Sequence, residues 1–495
     1  MNSWIWIFLL SVVTFIVIKA YRIRHHFEKW GIPQYPDLPF LGFMASNFFP
    51  RLHLHNVVRD MYNWNREAKY IGCHMFTSPQ LMLRDLDLIK AVTVKNFDHF
   101  SDHKTFVDES MDPLFAGSLA MLNGDKWCEV RNVLNPAFTL SKMRVMFGLM
   151  SNCAENFVDK FLVLYSNCDE VEIMEPINRY TNDVIASCAF GFDIDSLGNP
   201  DNEFYIRGRS LMSSLKYLKV FKILFIRACP RISQILKLKI ISEQDNDFFV
   251  NVIRSGIETR REQGITRPDM LQLMMDVEPS LNLLEMTAQA FVFFLAGIES
   301  TAVQMCVIAH ELAANPDVQK KLHDEIDTVL RECDNKPTYE AMNNMVYLDA
   351  IFTESLRMHS ASFMNRMCTK EFELPPAVPD AKLYIVQPGE ERLISMPGIH
   401  YDPDYYENSE RFDPDRHTGK RAAQGDATNL GFRLGPRMCI GNRFAVLETK
   451  VMFAHLLSKC RLQPCKKTCI PLKYDPGSLA VVPKGGFWLK VLPRN

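Results

Sequence analysis

The ten residues from Phe432 to Gly441 read Phe-Arg-Leu-Gly-Pro-Arg-Met-Cys-Ile-Gly, and no other stretch constrains this chain as tightly. One cysteine, Cys439, sits in a loop punctuated by Gly435 and Gly441. Phe432 precedes it, and a helix-like run, Asn442 to Lys459, follows. Glycines, lacking a Cβ, let the backbone pass close to a large planar group. Amide groups at the start of the following helix point toward the sulfur and stabilise negative charge there. The cationic neighbour Arg437 favours ionisation of the thiol further. Such a loop presents a single thiolate to the flat face of a metal macrocycle. The competing reading of a lone cysteine is a buried structural residue; the loop context favours the ligand.

The pattern Phe-x-x-Gly-x-Arg-x-Cys-x-Gly resembles the haem-binding signature of the cytochrome P-450 superfamily, the haem-thiolate monooxygenases. Phe432, Gly435, Arg437, Cys439 and Gly441 fill its defined positions. The resemblance covers nearly the whole chain, from an N-terminal anchor to Lys490. In detail it is similar to microsomal enzymes of the insect xenobiotic-metabolising branch. It implies a mainly α fold with small β-sheets, one large helical fold behind a transmembrane anchor. It also implies haem b (iron protoporphyrin IX) with Cys439 as axial ligand, and O2 and NADPH-derived electrons as co-substrates.

With 495 residues, 47% of them hydrophobic, the chain has ample material for a large core. A net charge of -2 gives no reason to expect nucleic-acid binding. The 13 cysteines are odd in number and lack framework spacing. Cys465 and Cys469 have metal-ligand spacing, but no His or Cys pair completes a site. No Asn-x-Ser/Thr acceptor occurs. Reduced thiols and absent glycan sites fit a catalytic domain facing the cytosol.

Trp4 to Ile18 is apolar except for Ser11 and Thr14, and Lys19, Arg22 and Arg24 follow at once. The run is short for a span, which needs about 17–25 residues; flanking residues and the stem of Lys19 can supply the rest. Charges after the run, rather than before it, argue for a retained anchor with its C-terminal side in the cytosol. The expected organisation is a signal-anchor helix over residues 1–21, a basic and proline-rich hinge over 22–40, and a catalytic domain over 41–495. The expected location is the endoplasmic reticulum membrane.

Helical periodicity dominates from about Leu140 to Leu356. Strand-like pieces lie near Tyr70 to Leu83, Lys382 to Val386 and Leu479 to Leu492. Ala288 to Leu312 competes as a membrane span, but Gln289, Glu299, Gln304 and His310 within it favour a buried core helix. Around Phe221 to Ile226 an apolar stretch is interleaved with Lys216, Lys219, Lys222 and Arg227. It reads either as a core helix pair or as a lid touching the bilayer surface; the resemblance implies the lid.

Three further motifs accompany the cysteine loop. Ala296-Gly297-Ile298-Glu299-Ser300-Thr301 resembles the family's oxygen-binding element, in which an acid beside a hydroxyl passes protons. Ser300 stands where the family usually has Thr, losing the methyl that stiffens the rotamer. Glu354-Ser-Leu-Arg357 resembles the Glu-x-x-Arg element, which the family joins to an arginine matched here by Arg416. His417 stands where Phe is usual, and Ser360 where Pro is usual. Trp127-Cys-Glu-Val-Arg131 resembles Trp-x-x-x-Arg, whose i,i+4 spacing puts indole and guanidinium on one helix face. By the resemblance, Trp127, Arg131, Arg366 and Arg437 meet the haem carboxylates, with His103 a weaker candidate.

The resemblance implies substrate contacts from about Phe106 to Leu119, the lid, Phe293 to Ser300, Ser360 to Met364, and Leu479 to Val481. These stretches are apolar, which suits a lipophilic substrate. Lys126, Lys142, Lys420, Arg421 and Lys450 form a candidate face for an acidic electron donor. The implied donor is an NADPH–cytochrome reductase, with cytochrome b5 as an optional second. The expected activity is insertion of one oxygen atom of O2 into a lipophilic small molecule, for detoxification of foreign compounds. Oxidation of an endogenous lipid, steroid or hormone stays open. A haem-thiolate isomerase or dehydratase needing no reductase, and a non-catalytic carrier, are the remaining readings.

Overall fold

The apolar N-terminus continues as helix well past Ile18. The first helix, α1, runs Asn2–Arg24, so it reaches about 35 Å at about 1.5 Å per residue. That length crosses a hydrocarbon core, and Trp4, Trp6 and Phe8 lie exposed along it. The helix carries on past the apolar run through Lys19, Arg22 and Arg24, which places cationic side chains at its C-terminal end. This computed structural model describes residues 2–494 apart from 50, 106, 108, 214–216, 277–280, 335 and 420–427.

The other helices used below are, in chain order, α2 (Gly124–Leu134), α3 (Leu140–Tyr165), α4 (Met174–Ile185), α5 (Tyr217–Ala228), α6 (Pro230–Ile235), α7 (Leu283–Ala314), α8 (Val346–Met358) and α9 (Asn442–Lys459). The strands are β1 (Tyr70–Met75), β2 (Ser78–Leu83), β3 (Val171–Glu172), β4 (Phe363–Met367), β5 (Phe372–Leu374), β6 (Tyr384–Val386), β7 (Glu391–Ser395), β8 (Cys460–Pro464) and β9 (Trp488–Pro493). The chain divides into two compact units. One comprises Met1–Lys104, Ala361–Glu407 and Arg433–Arg437; the other comprises Thr105–Ser360, Asn408–Phe432 and Met438–Asn495.

The first unit holds a four-stranded sheet in the order β1-β2-β7-β4. β1 and β2 form an antiparallel hairpin, β2 runs parallel to β7, and β7 is antiparallel to β4, setting Arg366 opposite Arg392. β7 reads Glu-Arg-Leu-Ile-Ser and is buried throughout. Its charged start hides it from a search for apolar alternation. Glu391 is satisfied by Gln80 at 2.9 Å and Asn365 at 2.9 Å. The proline-rich stretch is extended, as its prolines require, and is fastened to β1. The Tyr35 amide donates to the Gly72 carbonyl at 2.8 Å, and the Gly72 amide donates to Pro33 at 2.8 Å.

The second unit is built on α7, 32 residues long. A reciprocal cap starts it: the Asn282 side chain accepts from the Glu285 amide at 3.0 Å, and the Glu285 carboxylate accepts from the Asn282 amide at 2.9 Å. Two of its polar residues, Gln289 and Gln304, have protein partners. Gln289 accepts from the Leu119 amide at 2.9 Å and donates to the Gly117 carbonyl at 2.8 Å, and Gln304 bonds Ser355. This satisfaction marks a core helix, in agreement with the polar residues read from its sequence. A small sheet, β3-β9-β8, closes this unit. β9 starts only at Trp488. Residues 479–481, expected as strand, form bends inside a hairpin whose base is the bridge between Tyr474 and Pro483.

Candidate functional site

In the second unit, the Cys439 amide donates to the Phe432 carbonyl at 2.9 Å, closing the loop just ahead of α9. Phe432 stacks on Phe352 of α8 with centroids 5.9 Å apart and planes 14° apart. Cys439 is exposed and in no disulfide. Gly441 forms the N-cap of α9 at φ -87°, and a Cβ there would meet only the Phe138 ring at 3.8 Å. Among the described residues no other protein atom lies close enough to demand glycine there, which leaves room for a planar group. Arg131 and Trp127 sit one turn apart on α2, Trp127 buried. Burial lowers the Arg131 pKa, a shift that the neighbouring Cys439 opposes only in part.

The first unit gathers the other expected haem-carboxylate ligands. Gly435 adopts φ +76°, and a Cβ on it would lie 1.9 Å from the Thr93 carbonyl oxygen. Backbone-to-backbone packing therefore fixes glycine here. Arg366 on β4 is buried and donates to the Asn365 carbonyl at 2.9 Å and the Leu434 carbonyl at 3.2 Å. Its Nε has no hydrogen-bond partner among the described residues. Burial, then the charges of Arg433 and Arg437, draws its pKa down to about 9. Arg437 is buried too, donating to the Ser101 carbonyl at 2.6 Å with Asp102 at 3.6 Å. His103 is held neutral, at about 2, by burial and then by Arg366, Arg437 and Arg433. The sequence reading did not include Arg433, whose signal was only its place beside Phe432.

Concentrating buried guanidinium groups is costly without an anion. Within the first unit this donor set suits carboxylates such as those haem carries, and within the second an exposed cysteine ahead of a helix N-terminus suits an iron ligand. The unpaired Arg366 Nε is the observation on which this fit rests.

On α7, Glu299 is partly buried, and burial pushes its carboxyl up to about 7. The Ser300 hydroxyl donates back to the Ala296 carbonyl, one turn earlier. Ser300 and Ala296 are both exposed, whereas Thr301 is buried. A Cβ on Gly297 would lie 2.5 Å from Ile185 Cδ1. That glycine thus lets α4 approach α7, a reason the sequence did not reveal.

Glu354 and Arg357, expected to pair, do so with no exposure of either side chain. Arg357 Nε and Nη2 donate to the Glu354 carboxylate at 2.8 Å and 2.9 Å. Arg416 Nε joins at 3.0 Å, the Asp413 amide at 2.9 Å and His417 Nε2 at 2.8 Å. Burial alone would raise the Glu354 pKa. Hydrogen bonds from Arg357 and His417, with the charges of Arg357 and Arg416, overcome that and hold it near about 2.

The expected donor face needs correction. Lys450 is buried: its ammonium lies 2.8 Å from Asp349 and donates to the Asn343 and Met345 carbonyls. Lys126 is paired with Glu285 at 2.5 Å. Lys142 is partly exposed, and Lys420 and Arg421 lie outside the described residues. Arg443, in the first turn of α9, is exposed and was missed. In the lid region Phe221 of α5 and Ile232 and Ile235 of α6 are exposed, while Leu224 and Ile226 are buried. Lys216 lies outside the described residues, as does the side chain of Lys219.

The family model described as Cytochrome P450 matches residues 33–490. Cytochrome P450 9e2 of Blattella germanica is 38% identical, covering 100% of this chain and 99% of that protein. Probable cytochrome P450 9f2 of Drosophila melanogaster is 36% identical over 95% of each chain. Cytochrome P450 6B6 of Helicoverpa armigera is 32% identical over 99% of each. With a match through nearly its whole length and relatives aligned end to end, the chain belongs to the cytochrome P450 family.

Proposed function

We propose that this protein is a reductase-dependent haem-thiolate monooxygenase that oxidises lipophilic foreign compounds at the endoplasmic reticulum membrane. The exposed Cys439 at the closed end of its loop carries the reading. Its similarity to insect relatives of the 9 and 6 groups supports a detoxifying role. Cys439 would ligate the iron, and Arg366, Arg437, Trp127 and Arg131 would hold the haem carboxylates, with His103 as an uncharged neighbour. When bound, haem supplies the activation of O2. The chain's own residues do the rest. Glu299, titrating near neutrality, holds or releases a proton beside the hydroxyls of Ser300 and Thr301. The Glu354–Arg357–Arg416 network holds the backbone at Asp413 in place. Apolar side chains of α7 exclude water, and α1 keeps the protein at the membrane, where lipophilic compounds concentrate.

The test is purified protein with an NADPH–cytochrome reductase and a panel of lipophilic candidates, scored for NADPH- and O2-dependent product. Slow turnover of many compounds is the expected result. Fast turnover of a single endogenous lipid would replace detoxification with dedicated metabolism. Product formed without NADPH or O2 would overturn the monooxygenase reading.

A further inference from the structure

Three buried or half-buried polar side chains that the account so far leaves without a role meet in the second unit. His359 caps the C-terminal end of α8. Its Nε2 lies 3.0 Å from Glu311 Oε1 in the last turn of α7, and its Nδ1 lies 2.7 Å from the Tyr474 hydroxyl. The second Glu311 oxygen accepts from Asn315 Nδ2 at 3.2 Å. With a hydrogen on Nε2, that nitrogen donates to the carboxylate and Nδ1 accepts the tyrosine proton, so both neighbours are satisfied. The His359 and Tyr474 rings also meet edge to face, with centroids 5.9 Å apart. Apolar side chains would join these elements at lower desolvation cost. A chain of directed hydrogen bonds instead fixes position and angle.

Tyr474 is the base of a hairpin that is tied within itself. It bridges to Pro483. The Asp475 amide donates to Val482 at 2.8 Å, and the Ser478 amide to Asp475 at 3.0 Å. The Gly477 amide donates to Asp475 Oδ1 at 3.0 Å, and the Ala480 amide to Ser478 Oγ at 3.0 Å. A segment bonded in this way moves as one piece. Beyond it, the Phe487 amide is held by Glu172 at 3.2 Å. The tyrosine end is held by His359.

We propose that Glu311, His359 and Tyr474 form a positioning clamp that fixes this hairpin against the ends of α7 and α8 and so sets how the lipophilic part of a substrate lies along Leu479–Val481. Glu311 orients the imidazole, the imidazole holds the tyrosine, and the tyrosine holds the hairpin; none of the three touches the reacting atoms. The clamp rests on the haem-thiolate reading proposed above and on the substrate contacts that the resemblance implies for Leu479 to Val481.

The haem-loaded full chain is titrated with imidazole and with 1-dodecylimidazole, following the absorption shift on azole binding. The ratio of the two Kd values isolates the contribution of the tail. In Tyr474→Phe and His359→Leu that ratio should fall about fivefold, the loss expected for one hydrogen bond, while imidazole alone binds as in wild type. His359→Gln, which can donate to Glu311 and accept from Tyr474, should restore the wild-type ratio. An unchanged ratio in Tyr474→Phe and His359→Leu, with only a lower Tm, would overturn the clamp and leave a structural contact. A wild-type protein that shows no azole shift at all would overturn the haem-thiolate reading, and the clamp with it.

Discussion

His417 Nε2 lies 2.8 Å from Glu354 Oε2, so the histidine standing where the family usually has phenylalanine is a donor to the buried carboxylate. Histidine at this position adds a hydrogen bond to the network. His417→Ala should cost about 1–3 kcal/mol, the range for unpairing one contact to a buried charged group. Arg357→Ala should cost more, about 3–5 kcal/mol, because it removes two hydrogen bonds and the fully buried cation opposite the Glu354 carboxylate. Thermal unfolding of the haem-loaded protein measures both, and equal effects would contradict this ranking.

The same carboxylate predicts an acid transition. Its folded pKa, about 2, lies below the ordinary value near 4.5 in the unfolded chain. A depressed acid stabilises the fold above the unfolded pKa and loses that contribution as pH falls through the folded one. About 3 kcal/mol should therefore disappear between about pH 4.5 and pH 2. In Glu354→Gln this portion of the pH dependence should be missing from urea unfolding curves.

Glu299 behaves in the opposite sense. Burial lifts its pKa to about 7, so the carboxyl is about half protonated at neutral pH and can both accept and donate. Product formed per NADPH should vary with a midpoint near pH 7, and Glu299→Gln should flatten that dependence. A profile identical in the two proteins would remove Glu299 from proton delivery.

Ser300 donates its hydroxyl back to Ala296, and without a β-methyl it can turn away from that bond more easily than threonine. Ser300→Thr should lower hydrogen peroxide released per NADPH by about twofold, the scale of a rotamer preference near 0.5 kcal/mol. Equal release would show that the serine does not limit coupling.

Donor docking separates an exposed arginine from a buried lysine. Arg443→Glu should raise the reductase concentration needed for half-maximal turnover about threefold or more, with a stronger salt dependence. Lys450→Met should lower Tm with little change in that concentration, because its ammonium is already bound to Asp349.

Local spacing made much of this site legible. Trp127 with Arg131, Glu354 with Arg357, and the cysteine loop each encode their geometry within a few residues, through helical periodicity or glycine placement. What stayed hidden depends on distant partners. His359 meets Glu311 from 48 residues away and Tyr474 from 115, and no pattern around any of them signals the contact. Gly297 was legible only as part of the Ala296–Thr301 motif, whereas its packing against Ile185 on α4 depends on a residue far away in the chain. Lys450 read as surface because a lysine on a helix usually is, and Asp349 together with two carbonyls made its burial tolerable. β7 went unseen because its first two residues, Glu391 and Arg392, are charged, and Glu391 finds its partners only in the assembled sheet.

The central claim is that the Cys439 sulfur binds haem iron as an anion, and the ferrous carbonyl absorption spectrum tests it most directly. Wild-type protein should show the strongly red-shifted band peculiar to thiolate ligation, and Cys439→His should move it to the position typical of imidazole ligation. A wild-type spectrum without that band, or its persistence in Cys439→Ala, would contradict the account.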